Sequence, residues 1–372
     1  MIRTLQNRLD ALSRQDLHRA PTLPTEGSLD FSSNDYLNLA RDPRVTEAAA
    51  TAARKYGAGA RAARLMSGNL SCHQKLENHL AEWIGQESAL LFGSGFLTNS
   101  GLIPALAQKR DIVFADKLVH ASAIEGLRHS DATFFRFRHN DLKHLSTLIQ
   151  AHRPAPGGLR LIVTESVFSM DGDQAPLRDL MTLAKNCDGN TLTLIDEAHA
   201  LGVFGQHGAG LASTLPPELA PDIIVGTLGK ALGSYGGFCA CKAEIRDYLI
   251  NQTRTFIFST ALPPPVVAAA DAALSICRKG DLGNELLSRT DCFAKALGLP
   301  TPPTSQIIPL VIGENAKAIQ TAKRLRDQGI LVTAIRPPTV PLGTARLRLS
   351  VTLALSQEEL QRAAHTIARE LT

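Results

Sequence analysis

Residues 191–202 read Thr191-Leu-Thr-Leu-Ile195-Asp196-Glu-Ala-His199-Ala-Leu-Gly202. A short apolar and β-branched run ends at a carboxylate, and an imidazole follows three residues later. Such a run, bounded by polar residues, reads as a strand buried on both faces. The same grammar recurs on either side, in Ala89–Phe92, Asp111–Ala115, Thr133–Phe137, Arg160–Thr164, Asp222–Gly226 and Gly237–Cys241. Most of these runs are separated by stretches with helical spacing. Strands alternating with helices give an α/β fold built on a mostly parallel sheet with both faces covered. With Thr191–Ile195 the runs number seven, enough for one large domain.

Outward from that block the rhythm changes twice. The first twenty residues space Ile2, Leu5, Leu9 and Leu12 as an amphipathic helix ending before Pro21. Glycines and prolines then lead to Phe31-Ser-Ser-Asn-Asp-Tyr36, and helices are expected over Pro43–Lys55 and Leu70–Gly85. Leu262-Pro-Pro-Pro265 breaks the α/β alternation. Beyond it an Ala-rich helix leads to strand Ile307–Ile312, helix Ala316–Gln328, strands Leu331–Thr333 and Arg346–Val351, and a last helix from Gln357. The expected organisation is an N-terminal segment (1–42), a large α/β domain (43–261) and a smaller α+β domain (262–372).

Composition narrows the function. Lys plus Arg total 39 against 35 Asp plus Glu, a net charge of only +4. That excess suits a site for an anionic metabolite better than a nucleic-acid surface. Aromatic residues make up 5% with one Trp, too few for base-stacking platforms. The six cysteines form no Cys-x-x-Cys pair and read as reduced, buried thiols. No apolar stretch nears the ~18–20 residues of a membrane span. The N-terminus lacks a signal peptide's apolar block, so a soluble, cytoplasmic protein is expected.

The polar residues gather where an α/β sheet puts its ligands, at the carboxyl ends of strands. Gly93-Ser-Gly-Phe-Leu-Thr-Asn99 is either a tight turn or a helix start whose free N–H groups hold a phosphate. Glu165-Ser-Val-Phe-Ser169, Asp196-Glu-Ala-His199 and Thr227-Leu-Gly-Lys230 follow three other strands. Lys230 is either a surface lysine or, among Gly229, Gly233, Gly236 and Gly237, one that a ligand approaches closely. An aldehyde cofactor with a phosphate and a pyridine ring would use all these groups. Its aldehyde would form a Schiff base with the lysine, and a carboxylate would keep its ring nitrogen protonated. His120 is a helix cap, a core residue or a catalyst. His73, His79, His129, His139, His144 and His152 lie on polar segments and read as solvated, and no cluster has metal-ligand spacing. Asp196-Glu-Ala-His199 also matches a helicase signature, but that requires an upstream phosphate loop. The sole Gly-Lys pair, Gly229-Lys230, lies downstream and precedes Ala231.

Asp196-Glu-Ala-His199-Ala-Leu-Gly202, Thr227-Leu-Gly-Lys230, Phe168-Ser-Met-Asp-Gly-Asp173 and Phe31-Ser-Ser-Asn-Asp-Tyr-Leu37 together resemble the α-oxoamine synthases. These are pyridoxal 5'-phosphate enzymes of the aspartate-aminotransferase fold (fold type I), which join an amino acid to an acyl thioester with loss of carbon dioxide. The segment Ile335-Arg-Pro-Pro-Thr339-Val-Pro-Leu-Gly-Thr-Ala-Arg346-Leu-Arg348 resembles the branch serving biotin biosynthesis. That branch implies L-alanine and pimeloyl-CoA, or a pimeloyl-acyl-carrier-protein thioester, as substrates, and a homodimer. Other members of the family, using glycine or serine, and a non-catalytic scaffold subunit of the same fold stand as alternatives.

Carried over position by position, the resemblance makes Lys230 the Schiff-base lysine and base, and Asp196 the partner of the pyridine nitrogen. His199 would contact the cofactor's phenolic oxygen, and His120 would stack on the ring and touch substrate. Gly95, Phe96, Ser169 and Thr227 would be further cofactor contacts. Arg348 would clamp the amino-acid carboxylate, as a guanidinium fork suits. Thr339 and Arg19 (or His18 in its place) would touch substrate, and Arg336 would recognise the pimeloyl chain.

Overall fold

The computed structural model describes residues 2–371. Among these, seven strands form the largest sheet: β1 (Ser88–Phe92), β2 (Ile112–Asp116), β3 (Thr133–Phe137), β4 (Arg160–Glu165), β5 (Thr191–Asp196), β6 (Ile223–Thr227) and β7 (Gly237–Cys241). Their order is β1-β7-β6-β5-β4-β2-β3. All neighbours are parallel except around β7, which runs antiparallel to both β1 and β6. Chain length explains the exception. Only residues 228–236 join β6 to β7, whereas a parallel return needs a crossover of about a dozen residues or more. That short link contains Lys230.

The strands read as continuous apolar runs because each face has its own core. Leu161, Val163, Val113 and Ala115 join Leu102, Ile103, Leu127 and Leu249 from helices Gly95–Leu106, Ala121–His129 and Ala243–Gln252. The alternate residues Ile112, Phe114, Ile162 and Ile195 pack with Leu145, Ile149, Leu180 and Met181 from helices Leu142–Ala151 and Leu177–Lys185. Burying each large apolar side chain is worth ~1.5–3 kcal/mol, so two filled faces hold this sheet's geometry firmly. Cys239 and Cys241 lie buried on the first face, and Cys277 is buried too. Cys72 and Cys187 are only half-buried and Cys292 is exposed, because their helix and loop positions face outward; these correct the expectation of buried thiols throughout.

By contacts the chain divides into two compact units. The large one comprises residues 35–168 and 174–285, and the small one residues 2–34, 169–173 and 286–371. Helix Pro264–Cys277 packs on helix Pro43–Tyr56 inside the large unit. This division therefore differs from the segments read at 42/43 and 261/262. The small unit holds an antiparallel sheet in the order Thr333–Ile335, Ala345–Ser350, Ile307–Gly313. Helices Asn315–Asp327 and Gln357–Leu371 belong to it. Leu29–Asp30 pairs in parallel with Ile330–Leu331, and Phe31 stacks on Phe293 at 5.2 Å.

Two local expectations need correction. The first helix spans Ile2–Arg14, because Asp16 adopts a positive φ of 54° and ends it. The strand expected over Leu331–Thr333 is two short strands in different sheets, parting at Val332. The helix expected over Pro43–Lys55 is present as Pro43–Tyr56 and stops at Gly57 (φ 89°).

Candidate active site

The large unit's site begins with strand ends brought to one level. Pairing sets Glu165 beside Asp196 and Asp196 beside Val225, while Gly237 pairs with both Phe92 and Thr227. Helix Gly95–Leu106 therefore starts just past β1, next to the end of β6. Gly237 permits this closeness, since a Cβ there would lie 2.5 Å from both Gly95 N and Thr98 Oγ1. Ser94 caps the helix by accepting from Leu97 N at 3.1 Å. The amides of Gly95 and Phe96 have no acceptor within the helix, as in any first turn. A Cβ on Gly95 would sit 3.4 Å from Thr227 Cβ and 3.6 Å from Thr227 Oγ1. Thr227 Oγ1 itself accepts from Gly229 N at 3.2 Å.

Lys230, half-buried, brings Nζ to 2.8 Å from His199 Nε2. The other ring nitrogen, Nδ1, lies 2.7 Å from the hydroxyl of Tyr36, which is fully buried. A second chain of contacts starts at Asp196. Its Oδ1 accepts from Ala198 N at 2.9 Å, and its Oδ2 accepts from Asn99 Nδ2 at 2.6 Å. Asn99 Nδ2 also donates to Ser122 Oγ at 3.1 Å, and Ser122 Oγ lies 2.8 Å from His120 Nδ1. His120 is exposed to solvent. Desolvation lowers its pKa, Asp196 pulls it up, and Lys230 pushes it down. The two charges that act on His120 are thus the predicted carboxylate and the predicted lysine.

Sequence reasoning singled out Lys230, His199, Asp196, His120, Gly95, Phe96 and Thr227, and all lie in the large unit at or next to these strand ends. Tyr36, Asn99 and Ser122, which hold them, were seen only as letters within motifs. All six histidines read as solvated have protein partners instead; His129 Nδ1 lies 3.0 Å from the Glu125 carbonyl and His152 stacks on Phe135 at 3.9 Å. His73 is fully buried, bonding Leu70 N and the Leu262 carbonyl at 2.8 Å, and burial lowers its pKa. His139 pairs with buried Asp116 at 3.0 Å, His79 with Asp271 at 2.6 Å, and His144 accepts from Arg138 N at 2.9 Å. These are contacts across chain segments, invisible to local polarity.

The remaining predicted residues, Ser169, Arg19, Arg336, Thr339 and Arg348, belong to the small unit. Arg348 is buried and donates to the Ser169 carbonyl, to Ser350 Oγ at 2.6 Å and to Asn34 Oδ1 at 3.2 Å. Arg346, also buried, pairs with Asp171. Arg19 donates to the Pro337 carbonyl at 3.0 Å. Arg336 donates to the carbonyls of Asp16 and His18, and Thr339 N donates to the Arg336 carbonyl. Desolvation and the neighbouring Arg19 charge both lower the Arg336 pKa. Two guanidiniums thus converge on one pair of chain segments.

Comparison with known proteins matches the family model "Aminotransferase class I and II" over residues 26–367. A protein of Trichlorobacter lovleyi called 8-amino-7-oxononanoate synthase is 42% identical over 99% of this chain and 97% of its own length. One of the same name from Anaeromyxobacter dehalogenans is 44% identical over 93% and 90%. Among solved structures, a serine palmitoyltransferase of Sphingomonas wittichii superposes with a TM-score of 0.89 at 29% identity, covering 99% of this chain and 96% of that one. The 8-amino-7-oxononanoate synthase of Francisella tularensis gives 0.79 at 29% identity, over 93% and 98%. The chain belongs to the class I and II aminotransferase family.

Proposed function

We infer that this chain is a pyridoxal 5'-phosphate-dependent acyltransferase. It condenses L-alanine with a pimeloyl thioester, of coenzyme A or of an acyl carrier protein, giving 8-amino-7-oxononanoate, carbon dioxide and the free thiol carrier. This is the α-oxoamine synthase reaction of biotin biosynthesis. One observation carries the assignment of chemistry: a lysine amine, an imidazole and a hydrogen-bonded carboxylate meet at one end of a parallel sheet, beside a capped helix start. Near full-length identity to proteins named for this reaction supports the choice of substrates. Solved serine palmitoyltransferases, some holding the cofactor, share the backbone. They are 27–29% identical, against 42% and 44% for the Trichlorobacter and Anaeromyxobacter synthases, so the alanine reading is favoured.

The donor set fits the cofactor. The space left by the missing Gly95 side chain, edged by Thr227 and by two helix-start amides, suits a phosphate. Ser169 adds a hydroxyl. When bound, the cofactor supplies an aldehyde for amines and a ring that accepts the electron pair released at the substrate's α-carbon. The chain's residues do the rest. Asp196 holds a proton on the ring nitrogen, and Asn99 and Ala198 fix that carboxylate in place. Lys230 Nζ holds the cofactor at rest, then takes the α-proton and later returns one. His199 would hold the ring's phenolic oxygen, and His120 would stack against the ring. Arg348 holds the alanine carboxylate, while Arg19, Arg336 and Thr339 serve the acyl chain, whose distal carboxylate needs a charged partner once desolvated.

The assembly is a homodimer. Leu65, Met66, Tyr235 and Phe258 of the large unit are large apolar side chains left exposed, and the bridge between Ala63 and Thr260 brings two of their segments together. A second copy covering them would remove that surface from water. Among the described residues no helix is long and apolar enough to cross a membrane, in keeping with a cytoplasmic site of action. The test is a product assay across glycine, alanine and serine with pimeloyl and palmitoyl thioesters. Alanine with pimeloyl-CoA is expected to give the dominant product. Faster turnover of serine with palmitoyl-CoA would overturn the assignment.

A further inference from the structure

His199 is held at both ring nitrogens, and the two contacts fix what each can do. The Lys230 ammonium is a donor only, so at 2.8 Å Nε2 must accept from it. A neutral ring then carries its proton on Nδ1 and donates it to Tyr36 Oη, 2.7 Å away. Against the cofactor's phenolic oxygen the demand reverses. An oxyanion only accepts, so Nε2 must carry the proton, Nδ1 must accept, and the Tyr36 hydroxyl must donate. A phenol hydroxyl serves in either sense; a phenylalanine ring serves in neither.

Tyr36 is also held firmly enough for the task. Its ring is fully buried. The preceding Asp35 accepts from Leu39 N at 2.9 Å and Ala40 N at 3.1 Å, closing the segment into a tight turn. Gly233, in the Lys230 link, packs directly on that turn: a Cβ there, at φ +58°, would lie 2.3 Å from Ala40 N. Gly202, just past His199, lies so near Leu37 that a Cβ would come within 3.2 Å of it. The tyrosine therefore stands on the same packed block as the lysine and the histidine it serves.

We propose that Tyr36 is a positioning residue that sets the tautomer of His199, the 2.7 Å Tyr36–His199 and 2.8 Å His199–Lys230 contacts allowing the ring proton to move from Nδ1 to Nε2 when the cofactor binds. The proposal rests on the cofactor reading given above. The ring keeps one proton throughout: Lys230 passes one ammonium proton to Nε2, the Nδ1 proton is released to solvent water, and the Tyr36 hydroxyl turns to donate to Nδ1, so the three groups together release one proton.

The test is nitrogen NMR of histidine-labelled protein, free and loaded with pyridoxal 5'-phosphate, in wild type and Tyr36→Phe. The wild type is expected to show the His199 proton on Nδ1 when free and on Nε2 when loaded. Tyr36→Phe should bind the cofactor about tenfold more weakly, from loss of one buried hydrogen bond. The pH at which the bound cofactor's absorbance changes should move by about one unit. Tyr36→Phe with wild-type affinity and an unmoved absorbance transition would reduce the hydroxyl to packing. Should Tyr36→Phe fail to fold, a wild-type His199 proton that stays on one nitrogen would overturn the proposal equally. Failure of the wild type to take up the cofactor at all would instead count against the cofactor reading.

Discussion

The two ends of the large sheet spend their polar side chains differently. At the amino ends they close backbone. Asp111 accepts from Gln108 N at 2.7 Å and Leu159 N at 2.8 Å, Asp222 accepts from Thr193 N at 2.9 Å and Thr193 Oγ1 at 2.8 Å, and Arg160 donates to the Asp188 carbonyl. At the carboxyl ends they hold one another: Lys230 to His199 to Tyr36, and Asp196 through Asn99 and Ser122 to His120. A side chain that satisfies backbone is fixed by the fold and contributes to stability. One held by other side chains at a strand end stays chemically addressable. Both ends contain aspartates, and Asp116 at the carboxyl end of β2 also closes backbone, accepting from Leu118 N at 2.7 Å and Asn140 N at 2.9 Å, so what separates them is whether backbone or other side chains hold them.

The sharpest way to break this contrast is at Lys230. Lys230→Ala should lower turnover at least ~10⁴-fold, since it removes both the covalent anchor and the base. Its melting temperature without cofactor should stay within a few degrees of wild type. A loss of fold in place of a loss of activity would mean the carboxyl end is structural after all. In the small unit, Arg336→Ala should raise KM for pimeloyl-CoA by about tenfold to a hundredfold while leaving alanine-dependent spectral changes intact, because one charged hydrogen-bond partner is lost. Collapse of alanine binding with an unmoved thioester KM would reverse the assignments of Arg336 and Arg348.

The amino end should answer in the opposite currency. Asp222→Ala orphans Thr193 N and its hydroxyl, at a cost of ~1–3 kcal/mol in denaturant unfolding, with kcat/KM within about twofold of wild type. Glu197, next to Asp196, belongs in kind with the amino end. It is fully buried, accepts from Leu211 N and Ala212 N, and burial raises its pKa from 4.5 to about 7. Between those values the folded chain keeps a proton that the unfolded chain has released, so its contribution to stability falls as pH rises through this window and the penalty is complete above about 7. Glu197→Gln removes that penalty. Unfolding at pH 4.5 and 8 should show the variant gaining about 3 kcal/mol on wild type across the interval. A constant offset would mean that Glu197 stays ionised in the folded chain throughout.

Much of this architecture was legible because it is local. Strands filled on both faces announce themselves as apolar runs, as Gly237–Cys241 does, and the largely exposed edge strand Thr133–Phe137 also falls where expected. The carboxylate, imidazole and lysine were legible because each follows directly on a strand. Tyr36 was not, since it meets His199 across 163 residues and no period or spacing links them. Asn99 and Ser122 were hidden for the same reason, as was buried His73, whose partner Leu262 lies 189 residues away. The two-residue strand Ile330–Leu331 carries too few residues to show alternation.

The most direct measurement is borohydride reduction of the cofactor-loaded protein, followed by mass mapping of its peptides. The added cofactor mass should fall on the peptide containing Lys230, at about one per chain, and vanish from that position in Lys230→Ala. Cofactor mass fixed at any other lysine in the wild type would contradict the assignment of the carboxyl end as the active site.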